Sequence, residues 1–172
     1  MVEQLRLAPI PQEEYDAWWK LSVREYADEH VKSGNWDLEG ALEKSEGEFQ
    51  KLLPEGMKTA GHYLYSLEHP DGHEHVGIIW FRAARGPDAP RPPVLFIYDL
   101  LVYESFRGKG YGKQAMGLIE GKARELGFDT VSLHVFGHNR VALSLYQKLG
   151  YVATNLLMSK KVERGPASQG SS

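Results

Sequence analysis

The chain has 172 residues, 42% of them hydrophobic and 25% charged, which is the balance of one water-soluble domain with a core of its own. It contains no cysteine, so disulfides, zinc-thiolate sites and thiol nucleophiles are excluded. The net charge of -3 is unevenly spread: residues 1–60 hold 13 Asp and Glu against 7 Lys and Arg (net -6), and residues 61–172 hold 10 against 13 (net +3), with no Lys/Arg stripe suited to nucleic acid.

Leu5 and Leu7 alternate with polar neighbours and predict a short strand, interrupted by Pro9 and Pro11. Tyr15, Trp18, Trp19, Ser22, Val23, Tyr26 and Ala27 then recur at helical spacing, and Gly34 closes that helix. A second helix is expected from Asp37, as its cap, through Leu38, Ala41, Leu42, Phe49 and Leu53 to Pro54. The period changes at residue 62. His62–Leu67 and Val76–Phe81 alternate around His69-Pro70-Asp71-Gly72-His73, which predicts a hairpin. After a Gly/Pro-rich loop, Val94–Tyr103 is apolar on both faces apart from Asp99 and reads as a central strand. Ala115, Leu118, Ile119, Ala123 and Leu126 mark one face of a helix that Gly127 ends. Val131, Leu133 and Val135 predict a strand, Ala142, Leu145, Tyr146 and Leu149 a last helix ending at Gly150, and Tyr151–Lys160 a final strand.

The predicted order is β-α-α-β-β-β-α-β-α-β: an α/β (mixed α+β) fold with a central, mostly antiparallel sheet flanked by helices. Residues 1–162 form one domain, and the Gly/Ser/Pro-rich residues 163–172 are expected to be a flexible tail. No apolar run is long enough to span a bilayer, and Met1–Arg6 lacks the features of a secretory leader, so a cytoplasmic protein without a membrane partner is expected.

The chemistry is expected beyond the central strand, at Arg107-Gly108-Lys109-Gly110-Tyr111-Gly112-Lys113, where free N–H groups and the dipole of the following helix can hold an anion. A Walker A loop would need Gly at Arg107 and Ser or Thr at Gln114, and a dinucleotide fingerprint would need Gly at Lys113, so both fail. The turn instead resembles the Arg/Gln-x-x-Gly-x-Gly/Ala motif of the GCN5-related N-acetyltransferase (GNAT) family, through Arg107, Gly110 and Gly112. A second motif of that family is matched by Asn139-x-x-Ala142-x-x-Leu145-Tyr146-x-Lys148-x-Gly150-Tyr151. The resemblance spans roughly residues 60–160.

This resemblance implies acetyl-coenzyme A as the acetyl donor, with its pyrophosphate on the backbone of residues 108–113 and the side chains of Arg107, Lys109 and Lys113 beside it. It implies further that Leu100, Leu101 and Val102 offer backbone groups to the pantetheine arm and the thioester oxygen, that Asn139 and Ala142 contact the coenzyme, and that Tyr146 protonates the departing thiolate. From periodicity alone, Tyr146 reads as core packing, Asn139 as a helix N-cap and Lys109 as a surface residue. A base is also needed. An alkyl amine is mostly charged at neutral pH, and freeing its lone pair costs on the order of 4 kcal/mol. Asp99 is the one ionisable residue in its apolar strand, and burial should raise its pKa into a useful range; a hydrogen-bonded structural carboxylate is an equal reading, and Glu68 or a water chain are rivals.

The expected reaction is transfer of acetyl to a primary amine by direct attack in a ternary complex. The acidic first third suggests a cationic acceptor. A non-catalytic coenzyme A-binding module and an acetyltransferase for protein N-termini or lysines stand as alternatives, so the partner is a small-molecule or peptide amine. An exposed sheet edge or the final strand allows pairing into a homodimer. His69, His73 and His75 are read as solvated turn residues, and no metal is expected.

Overall fold

A computed structural model describes residues 4–87, 89, 91–163 and 165. Five strands form one sheet in the order β1-β2-β3-β4-β5: β1 (Arg6–Pro9), β2 (His62–Glu68), β3 (His75–Ala83), β4 (Leu95–Val102) and β5 (Val131–Leu133). The pairings are antiparallel except that of β4 with β5, which is parallel. The helices are α1 (Gln12–Lys32), α2 (Ala41–Leu52), α3 (Tyr111–Glu125) and α4 (Arg140–Lys148). No helix among the described residues is long and apolar enough to cross a membrane.

The two faces of the sheet carry separate apolar layers. On one, Val76, Ile79, Phe81, Leu95 and Ile97 pack against Ala115, Met116 and Ile119 of α3. On the other, Leu64, Ile78, Trp80 and Leu101 meet Tyr15, Trp18 and Val23 of α1 and Phe49 of α2. Each helix supplies one apolar stripe, as its 3.6-residue period dictates. α1 follows Pro11, has Glu13 and Glu14 in its first turn and His30 and Lys32 in its last, so its charges complement the helix dipole.

Three expectations need correction. Asp37 does not cap α2: the helix starts at Ala41 behind Gly40, whose φ of 78° lies in the left-handed region, and Leu38 is solvent-exposed. The hairpin histidines are not solvated as a group, since His69 lies 2.9 Å from the Tyr111 hydroxyl at the start of α3 and His75 lies 2.7 Å from Glu14 of α1. The hairpin is thereby tied to both layers. Residues 151–160 form no strand: among the described residues no strand pairs with them, and Val152–Glu163 is exposed throughout. A strand needs a neighbour for its N–H and C=O groups, and alternation of side chains does not supply one. The expected flexible tail falls almost wholly outside the described residues.

Gly77 of β3 has a structural reason that spacing alone does not reveal. A Cβ built there would collide with the Leu101 carbonyl oxygen, so only glycine allows β4 to lie this close.

Candidate active site

β4 carries an irregularity where the chemistry was expected. Trp80 of β3 faces Asp99 and Phe81 faces Ile97, so Tyr98 is an extra residue, a β-bulge. A regular strand would point Tyr98 and Asp99 to opposite faces. Here Tyr98 packs in the α1/α2 layer and Asp99 also turns toward α1. The Asp99 Oδ2 accepts hydrogen bonds from Trp18 Nε1 at 2.7 Å and Ser22 Oγ at 3.0 Å. Burial pushes the Asp99 carboxyl up from the ordinary aspartate range, and the donors of Trp18, Ser22 and the Leu100 backbone N–H pull against it.

β4 and β5 separate just past this point. They pair only from Leu95↔Val131 to Ile97↔Leu133, so residues 98–102 have a strand neighbour on the β3 side alone. Backbone groups alternate in direction along the strand: the Leu101 carbonyl points at Gly77 of β3, so the expectation that Leu101 offers its backbone to the coenzyme is corrected, while Leu100 and Val102 turn theirs to the split side, where the Val102 carbonyl accepts a hydrogen bond from Arg107 Nε at 3.0 Å. That bond anchors Arg107, whose side chain is otherwise exposed, at the mouth of the split.

The glycine turn has the form that its sequence predicts. Gly108 and Gly110 have φ of 74° and 83°, conformations that L side chains rarely adopt, and Gly110 leads into α3 without any side-chain cap. The first N–H groups of α3, at Tyr111, Gly112 and Lys113, thus lack intrahelical partners and point out of the helix start. Gly112 serves a different purpose: a Cβ there would lie 3.3 Å from Leu145 Cδ2, so glycine lets α3 and α4 approach. Lys109 folds its ammonium over the Phe106 ring at 5.3 Å, and Lys113 is exposed.

α4 brings the second motif to the same split. The Asn139 side chain caps it by accepting from the Ala142 N–H at 3.1 Å. Tyr146 packs against the α3 layer and the Tyr151 ring at 5.9 Å between centroids. Burial pushes its hydroxyl up first, and the negative charge of Asp99 pushes it further. Tyr146 and Asp99, 47 positions apart in sequence, are therefore electrostatic neighbours across the split.

Of the other expected groups, Glu68 is held by Arg6 at 2.8 Å, toward the β1 edge. Among the described residues, no group of three or more histidines, aspartates or glutamates is placed to hold a metal ion.

The sequence reading left out the role of α1. Glu14, Trp18, Ser22, Glu25 and Glu29 are spaced four, four, three and four apart and share one face of that helix. Glu14 accepts from Ser66 Oγ at 2.6 Å and from the Tyr103 hydroxyl at 2.6 Å, besides meeting His75, and so locks the helix to the end of β4. Further along, Glu25 reaches solvent, yet partial burial and then the charge of Asp99 push its carboxyl up, with Arg107 opposing. Glu29 pairs with His138, just before α4, joining α1 to the far wall of the split. The recurrence of polar residues on one helix face was the signal available, but nothing in it named Asp99 as the partner.

The fold agrees with what similarity shows. The family model of the GNAT acetyltransferases matches residues 15–151. The chain belongs to the GNAT acetyltransferase family. GNAT relatives from Bacillus subtilis (strain 168) include two proteins described as uncharacterized N-acetyltransferases. YycN is 40% identical over 158 residues, covering 92% of this chain and 99% of its own, and YdgE is 38% identical over 156 residues, covering 91% and 97%. The solved structure of YycN superposes with a TM-score of 0.85 at 39% identity, over 94% of this chain and all of that one. A mycothiol acetyltransferase of Salinispora arenicola is 31% identical over 138 residues, 79% of this chain but only 40% of that longer protein. The protein is thus an acyltransferase of the GNAT fold.

Proposed function

We propose that the protein transfers the acetyl group of acetyl-coenzyme A to a primary amine by direct attack, with Asp99 as proton acceptor and Tyr146 as proton donor. The observation that carries this reading is the convergence on one open split of the uncapped glycine turn before α3, the buried Asp99 carboxylate held by Trp18 and Ser22, and Tyr146 on α4. Coenzyme A-bound acetyl is a thioester, whose carbonyl carbon an uncharged amine can attack. The uncapped start of α3, with Gly108, Gly110 and Gly112 and the anchored Arg107, fits a pyrophosphate, as does the close approach of α4 at Gly112. Lys109 and Lys113 add positive potential, Asn139 and Ala142 border the coenzyme from α4, and the backbone groups of Leu100 and Val102 line the thioester.

The proton balance uses two side chains. The acceptor enters as its uncharged amine, its extra proton having gone to solvent; the nitrogen bonds to the carbonyl carbon, the carbon–sulfur bond breaks, the proton that the nitrogen sheds in becoming an amide goes to Asp99, and the Tyr146 hydroxyl proton goes to the leaving thiolate. Ionised Asp99 holds the Tyr146 hydroxyl up, and an Asp99 that has taken the amine's proton no longer does. Uptake at one residue therefore eases release at the other. Proton return from Asp99 to Tyr146 restores both. Glu25 and Glu29 on the wall of α1 favour a cationic acceptor, since opposite charge draws it into the split.

Coenzyme A release from acetyl-coenzyme A, measured by thiol titration against a panel of alkyl amines, aryl amines and lysine or N-terminal peptides, tests the reading. Turnover with alkyl amines, together with thermal stabilisation by acetyl-coenzyme A, is expected. Stabilisation without turnover of any amine would leave a binding module, turnover of peptides alone would make this a protein acetyltransferase, and no stabilisation at saturating ligand would refute the proposal.

A further inference from the structure

Two protons leave the acceptor nitrogen on the way from an alkylammonium to an amide. In the reaction proposed above, Asp99 accepts one and returns it to Tyr146, so the other, shed before attack, needs an acceptor of its own. α1 touches both walls of the split. Trp18 and Ser22 bond Asp99 of β4, and Glu29 pairs with His138 just before α4. Ser22 and Glu29 lie seven positions apart, roughly 10 Å along the helix axis, and between them α1 spans the gap from β4 to the β5–α4 connection. Glu25 stands in that interval, three positions beyond Ser22 and four before Glu29, on the helix face that both share. Its side chain is exposed. Among the described residues, none hydrogen-bonds its carboxylate; the charges that act on it are Asp99 of β4, Glu29 and Asp28 of α1 and, opposing them, Arg107 at the mouth of the split. On the α4 side the titratable group is His138, which Glu29 occupies. Partial burial and the like charges around Glu25 make it a readier proton acceptor than an ordinary surface glutamate.

We propose, resting on the amine acetyltransferase reading above, that Glu25 takes the first proton from the acceptor's ammonium group within this interval and passes it to solvent, so that the amine meets the thioester uncharged. The ammonium N–H bond breaks with its electron pair left on nitrogen, and the proton bonds to a Glu25 carboxylate oxygen, which then ionises to water. The second proton leaves the nitrogen for Asp99 as the amide forms. The two carboxylates divide the work by exposure. Asp99, buried under Trp18 and Ser22, exchanges its proton with Tyr146, whereas Glu25, one helical turn away and open to water, discharges the surplus.

Thiol-release kinetics of the full chain carrying Glu25→Gln, Glu25→Asp or Asp28→Asn test this. With an alkyl amine at neutral pH, Glu25→Gln should lower kcat by about 10²-fold, as loss of a positioned base does. The deficit should shrink as pH rises toward the amine's own pKa, about 10, where solution supplies the uncharged form. It should nearly vanish at neutral pH with trifluoroethylamine, a weakly basic amine that is already uncharged there. Glu25→Asp keeps a carboxylate and should recover part of kcat, and Asp28→Asn, which removes a neighbouring like charge, should leave kcat unchanged. A rise in KM with kcat intact would make Glu25 an attractor of cations only and overturn the proposal. Equal deficits with the two amines, or the same kcat loss in Asp28→Asn, would overturn it as well. An unsubstituted enzyme that turns over no amine would remove the amine reading and this proposal with it, a failure distinct from an active enzyme indifferent to Glu25→Gln.

Discussion

Removing one hydrogen bond from Asp99 separates a proton acceptor from a structural carboxylate. Ser22→Ala deletes the donor 3.0 Å from Oδ2 and leaves the Trp18 bond in place. A hydrogen bond to a charged group contributes about 1.5–3 kcal/mol, and the 3.0 Å length argues for the lower end. Its loss favours the protonated form of Asp99 by about 1.5 kcal/mol, close to tenfold. The direction is set by the donors: they pull the Asp99 pKa down against the burial that raises it, so losing one lets it rise. In the thiol-release assay, the acidic limb of kcat/KM moves to higher pH. At a pH on that limb the variant should be about tenfold slower, and on the plateau it should match the unsubstituted enzyme within about twofold. A purely structural Asp99 gives another result. The buried hydroxyl still costs about 1 kcal/mol of stability, a fall in Tm of about 3 °C, with pH profiles that superimpose. Superimposed profiles alongside that Tm shift would refute the proton-acceptor role.

Tyr146→Phe keeps the ring packing and removes the hydroxyl, so kcat should fall by about 10²-fold or more while coenzyme A affinity, from calorimetry, changes by less than about threefold; unchanged kcat would remove the proton donor. Gly77→Ala drives a methyl into the Leu101 carbonyl and should cost upwards of about 3 kcal/mol in denaturant unfolding, a result that a neutral outcome would contradict. His62 carries a pH-dependent part of stability. Burial lowers its pKa to about 4, and its Nδ1 accepts a hydrogen bond from Trp80 Nε1 at 3.0 Å, so folding holds the neutral ring. The unfolded chain then binds more protons between about pH 6.5 and 4, and unfolding free energy should decline as pH falls through that window. His62→Gln should flatten this decline, and an unaltered slope would assign it elsewhere.

The legible part of this protein was local. The hairpin around Pro70-Asp71-Gly72, the glycine turn before α3, the Asn139 cap and the glycines that end α3 and α4 all follow from residue types at short spacing, because turns, caps and helix periods are set within a few residues. The two ordered motifs around Gly110 and Tyr146 were enough to mark the family, since they describe local backbone and helix-face chemistry.

What tertiary structure decided was every relation across the chain. The Tyr98 bulge turns Asp99 toward α1, and alternation in an apolar run cannot announce a register shift that depends on β3. Trp18 and Ser22 looked like ordinary helix-face residues until the fold carried them 81 and 77 positions to a single carboxylate oxygen. The same limit explains the final strand. Val152–Val162 has the side-chain alternation of a strand, but a strand exists only where another backbone completes its hydrogen bonds, and among the described residues none does.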